Sequence, residues 1–481
     1  MKQWMALSLL LLGLIPHSGQ AQTKINEASS CYLPGVQEKL HCGTVSVPEN
    51  YEQPDGKHIG IYYAILPAIQ EGAQADPMLI LAGGPGQAAT ELTPMIARMF
   101  EAVRQKRDIL LIDQRGTGKS HPLECGIERP DELIRADDEQ DLRALSRECQ
   151  EQYPDTDTTQ YHTVNAVKDF ERVREHLGIE QLNLYGGSYG TRVGLTYLRE
   201  APSSVRTATL DAVAPPQVII GPFGQHGANA FDEMLKDCSE QSPCHEKFPN
   251  LEQEYYEVMS ELEAENILLE TRDPLSFEPL EIKLTPGRFS SIIRVALYHP
   301  STRQLLPYAI HSAAEGNYHA ILGLMGGTMS QNSIYLGLML SVVCGEDLPR
   351  ATPELFAQDG NNEFIGSRTG DAFVDMCAGW QSSSVPSYWS DPVVSDKPVL
   401  LLSGELDPVT PPEWGEIAHR TLPNSKHLIA PNAGHTIASH TCANKLIADF
   451  IEQGSIENID GSCLKEQRLK PFVLNQNAAG L

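Results

Sequence analysis

The chain has 481 residues, 36 of them Lys or Arg and 63 Asp or Glu, for a formal net charge of −27 with histidine neutral. Its 41% apolar and 21% charged shares suit a globular protein that buries a core, which excludes disorder as the main state, and its Gly and Pro follow no fibrous period. An acidic excess without a concentrated basic patch speaks against nucleic acid as a partner, since phosphates repel such a surface.

The first residues read as an address. Lys2 precedes the apolar stretch Met5 to Ile15, the breaker Pro16 and the small-residue site Gly19-Gln20-Ala21. This predicts a secretory signal over residues 1–21 and a mature chain from about Gln22. The stretch is well short of the roughly 20 apolar residues that span a bilayer, so no stable membrane insertion is expected after signal removal. Ten cysteines agree with export to a bacterial periplasm or the extracellular space, because an even number behind a signal predicts disulfides. Joining sequence neighbours is the simplest arrangement: Cys31–Cys42, Cys125–Cys149, Cys238–Cys244, Cys344–Cys377 and Cys442–Cys463. With no C-x-x-C or H-E-x-x-H spacing, no metal is expected.

Two strands are predicted between Leu40 and Leu66, with turn chemistry at Pro54-Asp55-Gly56. Met78 to Leu81 is a short apolar run ending at Gly83-Gly84-Pro85-Gly86; a helical stretch to about Arg104 and a buried strand, Ile109 to Ile112, follow. Tyr161 to Leu177 has helical spacing. Leu182 to Tyr185 is a strand that runs into Gly186-Gly187-Ser188-Tyr189-Gly190 and a helix to about Arg199, and Val205 to Leu210 is a further strand. Short apolar strands alternating with helices imply an α/β fold with a mostly parallel sheet covered on both faces.

From about Gln217 to Asp391 the alternation stops and the chain reads as helix-rich. It resumes with a strand at Val399 to Leu402, a helix from about Pro412, a strand near His427 to Ile429 and a last helix, Thr436 to Ile451. The expected organisation is a core over 22–216 and 391–481, with a helical cap over 217–390 inserted before the Val399 strand.

The chemistry gathers at the ends of these strands. Gly186-x-Ser188-x-Gly190 stands where a strand becomes a helix, the setting of a nucleophile elbow, in which small neighbours permit a sharp turn that presents the serine hydroxyl. A serine hydroxyl is a weak nucleophile near neutral pH and needs a base, itself oriented by a carboxylate. Asp407 follows the Val399 strand and His435 the last one, giving the order Ser188, Asp407, His435 with each residue on a loop after a strand. Glu405 is the alternative acid. An oxyanion hole needs two backbone donors, expected at Tyr189, after the nucleophile, and at Gly84, in the glycine loop after the third predicted strand. Asp113 to Ser120 ends in Gly-Lys-Ser, but a phosphate loop requires glycine where this chain has Asp113, so a nucleotide site is rejected. Asp113 and Arg115 are expected to pair and brace the loops around the site.

Gly83 to Gly86, Asp113 to Ser120 and Gly186 to Thr191 together resemble the prolyl-aminopeptidase branch of the α/β-hydrolases. Cys31 to Val47, Cys344-Gly345-Glu346-Asp347, Cys377 to Trp380 and Gly404 to Pro412 are similar to the secreted tripeptidyl aminopeptidases. The resemblance implies a serine exopeptidase that releases short peptides or single residues from free N-termini beneath a helical cap, with Ser188 as nucleophile, Asp407 as orienter and His435 as base, and no metal or organic cofactor. Prolyl aminopeptidases carry a histidine before the double glycine where this chain has Ala82, which favours the tripeptidyl-type branch. A carboxylesterase is the alternative, because the same triad hydrolyses esters, and an inactive hydrolase fold used for binding is a third reading. A free N-terminus is largely protonated near neutral pH and needs a carboxylate partner under a cap. Glu346 is expected in that role because it follows the apolar run Ile334 to Val343 and the resemblance sets this segment near the substrate; the competing reading is a helix cap or a structural ion pair.

Overall fold

The computed structural model describes residues 28–125, 133–272, 277–329, 334–383 and 385–477. The expected signal, residues 1–21, lies outside them. Eleven strands occur among the described residues: β1 (Ser29–Cys31), β2 (Leu40–Pro48), β3 (His58–Leu66), β4 (Met78–Leu81), β5 (Ile109–Ile112), β6 (Leu182–Gly187), β7 (Val205–Asp211), β8 (Ile267–Arg272), β9 (Pro279–Leu284), β10 (Val399–Gly404) and β11 (Ser425–Ala430). Nine form one sheet in the order β1-β2-β3-β5-β4-β6-β7-β10-β11. The first three strands join antiparallel, and all pairs from β5 to β11 are parallel.

Four-residue runs such as Ile109-Leu110-Leu111-Ile112 are uniformly apolar because both faces of the sheet are covered. Successive side chains point to opposite sides of a strand. Leu110 and Ile112 enter one core with Leu79, Leu81, Phe170, Val193 and Leu401, whereas Ile109 and Leu111 enter a second with Met78, Ile80, Phe100, Leu402 and Phe450. Each fully buried Leu or Ile contributes about 1.5–3 kcal/mol, so the two layers together hold the sheet. The helices Thr163–Leu177 and Tyr189–Glu200 cover the first face, and Thr93–Met99 and Ala443–Gln453 the second.

Register sets the functional edge. Leu81 is level with Gly186, Gly187 with Asp211, Leu402 with Asp211, and Gly404 with Ala430. The loops after β4, β6, β7, β10 and β11 therefore leave the sheet side by side at its C-terminal edge, where ligands of parallel sheets bind.

Among the described residues between β7 and β10 the chain is helix-rich and carries an antiparallel hairpin, β8–β9, that the helix-rich sequence expectation does not include. The alternating exposure along Ile267–Arg272 is the period-two signal that marks it. The stretch from Pro286 to Ala314 is three helices, divided at His299, which directly precedes Pro300, and at Leu305, two residues before Pro307. This segment packs in two ways. Phe231, Tyr255, Phe289 and Phe364 centre a core of its own, while Leu336, Leu338, Leu340, Val342 and Trp380 join the core of the sheet. Five disulfides follow the neighbour pairing: Cys31–Cys42, Cys125–Cys149, Cys238–Cys244, Cys344–Cys377 and Cys442–Cys463. No helix among the described residues is long and apolar enough to cross a membrane.

Candidate active site

Ser188 directly follows β6 and caps the Tyr189–Glu200 helix with φ 57° and ψ −126°, a positive-φ backbone that a non-glycine residue adopts only under constraint. The constraint is close packing by the flanking glycines. A Cβ on Gly186 would stand 2.3 Å from the Gly190 carbonyl oxygen, and one on Gly190 would stand 2.0 Å from that of Leu81. Ser188 N–H donates to Asp211 O at 2.9 Å, and Ser188 O accepts from Thr191 N–H at 2.9 Å, so the elbow is tied on both sides.

Asp407, fully enclosed, accepts from the N–H groups of Val409 and Thr410 at 2.9 Å each and from Thr410 Oγ1 at 2.8 Å. Its Oδ2 lies 2.8 Å from His435 Nδ1. Burial alone would raise this carboxyl, but the His435 charge and hydrogen bond, together with the two backbone N–H groups, hold it below the usual range. Burial likewise pulls His435 down, and Asp407, with Asp211 behind it, pushes it above the ordinary imidazole value. With Nδ1 directed at Asp407, Nε2 is left for a serine proton. Glu405, the alternative acid, is exposed and accepts instead from Asn432 N–H at 3.0 Å.

The serine and histidine loops touch, since a Cβ on Gly187 would lie 3.5 Å from Thr436 Cγ2. Opposite them, a Cβ on Gly83 would lie 3.3 Å from Ser188 Cβ, which puts the glycine loop directly over the serine. Among the described residues, the N–H groups of Gly84 and Tyr189 have no protein acceptor, the condition for donors aimed at a substrate oxygen.

The segment between β7 and β10 closes over this edge. Tyr298 O accepts the His435 N–H at 2.7 Å, and the Tyr298 ring meets the imidazole edge-on at 5.0 Å between centroids. Tyr335 N–H donates to Gly86 O at 2.9 Å, so the glycine loop is held from above. His226 meets Trp414 edge-on at 5.2 Å; burial lowers its affinity for a proton despite Asp359, Asp407 and Glu413 nearby.

Three expectations need correction. Glu346 is fully buried: its oxygens accept from Thr163 N–H at 2.7 Å and Thr163 Oγ1 at 2.9 Å, and Arg192 lies 3.9 Å away. Its carboxylate caps the Thr163–Leu177 helix and completes an ion-pair cluster with Asp347, which Arg192 Nη1 binds at 2.9 and 2.7 Å. No free face is left for an ammonium group. Asp113 and Arg115 do not pair with each other: Asp113 accepts from Thr90 and from Lys119 N–H, while Arg115 makes a two-pronged ion pair with Asp169 at 2.7 Å. The expected last helix begins only at Ala443, after a single tight turn at Ile437–Ser439.

Burial pushes the Glu346 carboxyl up to about 7 against the opposing charge of Arg192. A carboxyl raised in this way stabilises the fold fully below its unfolded value of 4.5 and loses that contribution as pH rises through about 7. Glu346→Gln should therefore gain melting temperature relative to the parent protein as pH is raised across this window, with equal kcat/KM effects on free-amine and blocked substrates. A rise in KM confined to free-amine peptides would restore the anchor role.

Thr410 and Asp211 escaped the sequence reading. Thr410 holds Asp407 and lies 3.3 Å from His435 Nδ1, and its only sequence signal is its spacing three residues after the acid. Asp211 accepts from Tyr185 Oη at 3.0 Å and from Ile437 and Ala438 N–H at 2.9 Å each, fixing the loop after His435; burial pushes its carboxyl to about 6. An acid at the very end of an apolar strand was the available sign.

Residues 76–237 match the α/β hydrolase fold family and residues 362–463 the family of TAP-like proteins. The serine protease Hip1 of Mycobacterium tuberculosis is 24% identical, with 95% of this chain and 96% of that protein covered. A tripeptidyl aminopeptidase of Streptomyces coelicolor is 22% identical over 91% of this chain and 85% of its own length.

Proposed function

We propose that this chain, an α/β-hydrolase and serine hydrolase of the aminopeptidase branch, is an exported exopeptidase that removes short peptides or single residues from free N-termini. The observation that carries the reading is the buried Asp407–His435 pair on loops adjoining the strained Ser188 elbow, beneath a glycine loop whose Gly84 N–H has no acceptor among the described residues. Relatives that match over nearly the whole chain, a serine protease and a tripeptidyl aminopeptidase, support peptide bonds as the substrate class. Five disulfides support an oxidising compartment such as a periplasm.

In this reading Ser188 Oγ attacks the scissile carbonyl while His435 Nε2 takes its proton, and Asp407 stabilises the imidazolium that forms. The developing oxyanion is met by the N–H groups of Gly84 and Tyr189, the latter at the start of the Tyr189–Glu200 helix, whose dipole favours negative charge. His435 then protonates the leaving amine, and water releases the acyl group by the same steps in reverse. The segment between β7 and β10 acts as the cap: Tyr298 and Tyr335 reach the site from it, restricting entry to chain ends.

The test compares unblocked peptide anilides, the same anilides N-acetylated, and p-nitrophenyl acyl esters. An aminopeptidase cleaves the unblocked anilides far faster than the acetylated ones. Hydrolysis of the esters alone would make the protein a carboxylesterase and overturn the proposal.

A further inference from the structure

Arg294 lies on the Pro286–Ala296 helix, one turn before Tyr298, whose ring meets the His435 imidazole. Its guanidinium carbon sits 5.8 Å from the ring centroids of both Phe223 and Tyr298, and Nη1 donates to Tyr298 Oη at 3.1 Å. A Cβ on Gly227 would touch its Cγ and Cδ at 3.3 Å, so the stem is held in place along its length. Nε is buried, with no acceptor among the described residues. Among the described residues no carboxylate comes within 4 Å of this guanidinium, although acids outnumber bases 63 to 36 in the chain. Arg294 is half-buried, and the more fully enclosed arginines are neutralised: Arg115 by Asp169, Arg192 by Asp347, Arg107 by Asp76 and Arg303 by Asp237. Aromatic faces stabilise a cation without neutralising it, and a fork of planar donors matches a carboxylate.

The position tells which part of a substrate would meet it. His435 hands its proton to the leaving amine, so the fragment beyond the scissile bond lies against the imidazole and the groups around it. Tyr298 is in contact with that ring, and Arg294 is in contact with Tyr298. Extended chain advances about 3.3–3.6 Å per residue, so two or three residues cover this span.

We propose that Arg294, with Tyr298, is a carboxylate-binding subsite for the leaving fragment, so that the preferred substrates are short peptides with an acid group two or three residues beyond the scissile bond. The proposal rests on the reading of the site as a peptidase. The acid group is either a C-terminal carboxylate or an Asp or Glu side chain, and the two sources are separable by experiment.

Binding can be measured without turnover on the Ser188→Ala protein, by calorimetry with three hexapeptides of one sequence: the free acid, the C-terminal amide, and an amide carrying Glu near its end. A charge-assisted pair predicts about 10- to 100-fold tighter binding of the acid than of the amide. Recovery by the Glu-containing amide would identify the side chain as an equal source. Adding Arg294→Met, which keeps the apolar stem, should bring the acid-to-amide ratio close to one while leaving amide affinity unchanged, and Arg294→Lys should restore part of the ratio. Equal binding of acid and amide in the Arg294 protein, no binding of either, or a preference that survives Arg294→Met would overturn the subsite. The anilide and ester comparison with the Ser188 protein reads the peptidase activity separately, so the two failures are distinguishable.

Discussion

Ser188→Ala should lower kcat by about five to six powers of ten while leaving the melting temperature almost unchanged. The loss is large because triad members act as a unit: without Oγ there is no acyl-enzyme, and His435 and the oxyanion donors retain only what they do for a water attacking directly. The fold should not notice. Ser188 is held through its backbone, by Asp211 O and Thr191 N–H, and its side chain makes no hydrogen bond among the described residues. Alanine tolerates the same positive φ no worse than serine, so the stability change should stay within about 0.5 kcal/mol. Steady-state turnover of a cleaved anilide, thermal melting and labelling by a fluorophosphonate probe check the three parts. Near-normal turnover, or labelling that persists in the alanine variant, would remove Ser188 as nucleophile.

Much of this architecture is legible in the sequence because it depends on short-range patterns. Apolar runs too short for a buried helix and closed by glycine or a charged residue read as buried strands, and Met78–Leu81, Ile109–Ile112 and Val399–Gly404 are strands in the sheet. The pairing of Asp407 with His435, and not Glu405, follows from a register that brings the ends of β10 and β11 level. Two residues earlier, Glu405 is exposed and accepts from Asn432 N–H, whereas Asp407 is buried against His435.

What sequence could not supply are contacts made between distant segments. Thr163 meets Glu346 across 183 residues, and Asp211 meets the loop after His435 across more than 220. Glu346 was legible as a buried acid, from the apolar run before it, but not as an occupied one. An acid beside a cysteine and an apolar helix looks the same whether its partner is a substrate or a helix N-terminus. The partner of Arg115 is hidden for the same reason: its nearest acid in sequence, Asp113, is engaged by Thr90 and Lys119, and the ion pair goes to Asp169.

Asp407→Asn should reduce kcat by about 10⁴-fold and move the acid limb of the pH profile downward. Both effects come from how the two carboxylate oxygens are used. Oδ1 accepts two backbone N–H groups, from Val409 and Thr410, whereas Oδ2 faces His435 Nδ1 and Thr410 Oγ1. An asparagine keeps the backbone bonds with its amide oxygen and thus turns its NH₂ toward the histidine. Nδ1 must then accept, which places the imidazole proton on Nε2, where the serine proton has to arrive. The pH effect has a definite sign. Activity needs neutral His435, and the charge and hydrogen bond of Asp407 raise its proton affinity above the ordinary value against burial, which lowers it. With Asp407 neutral the burial effect is less opposed, only Asp211 remains to counter it, and kcat/KM should reach its plateau at lower pH than in the parent. A structural lesion would lower the rate at every pH without moving the limb. Measuring kcat/KM from pH 4 to 9 on both proteins therefore separates orientation of His435 from simple damage to its loop. A modest loss with an unmoved limb would shift the orienting role to another acid, with Asp211 the first to examine.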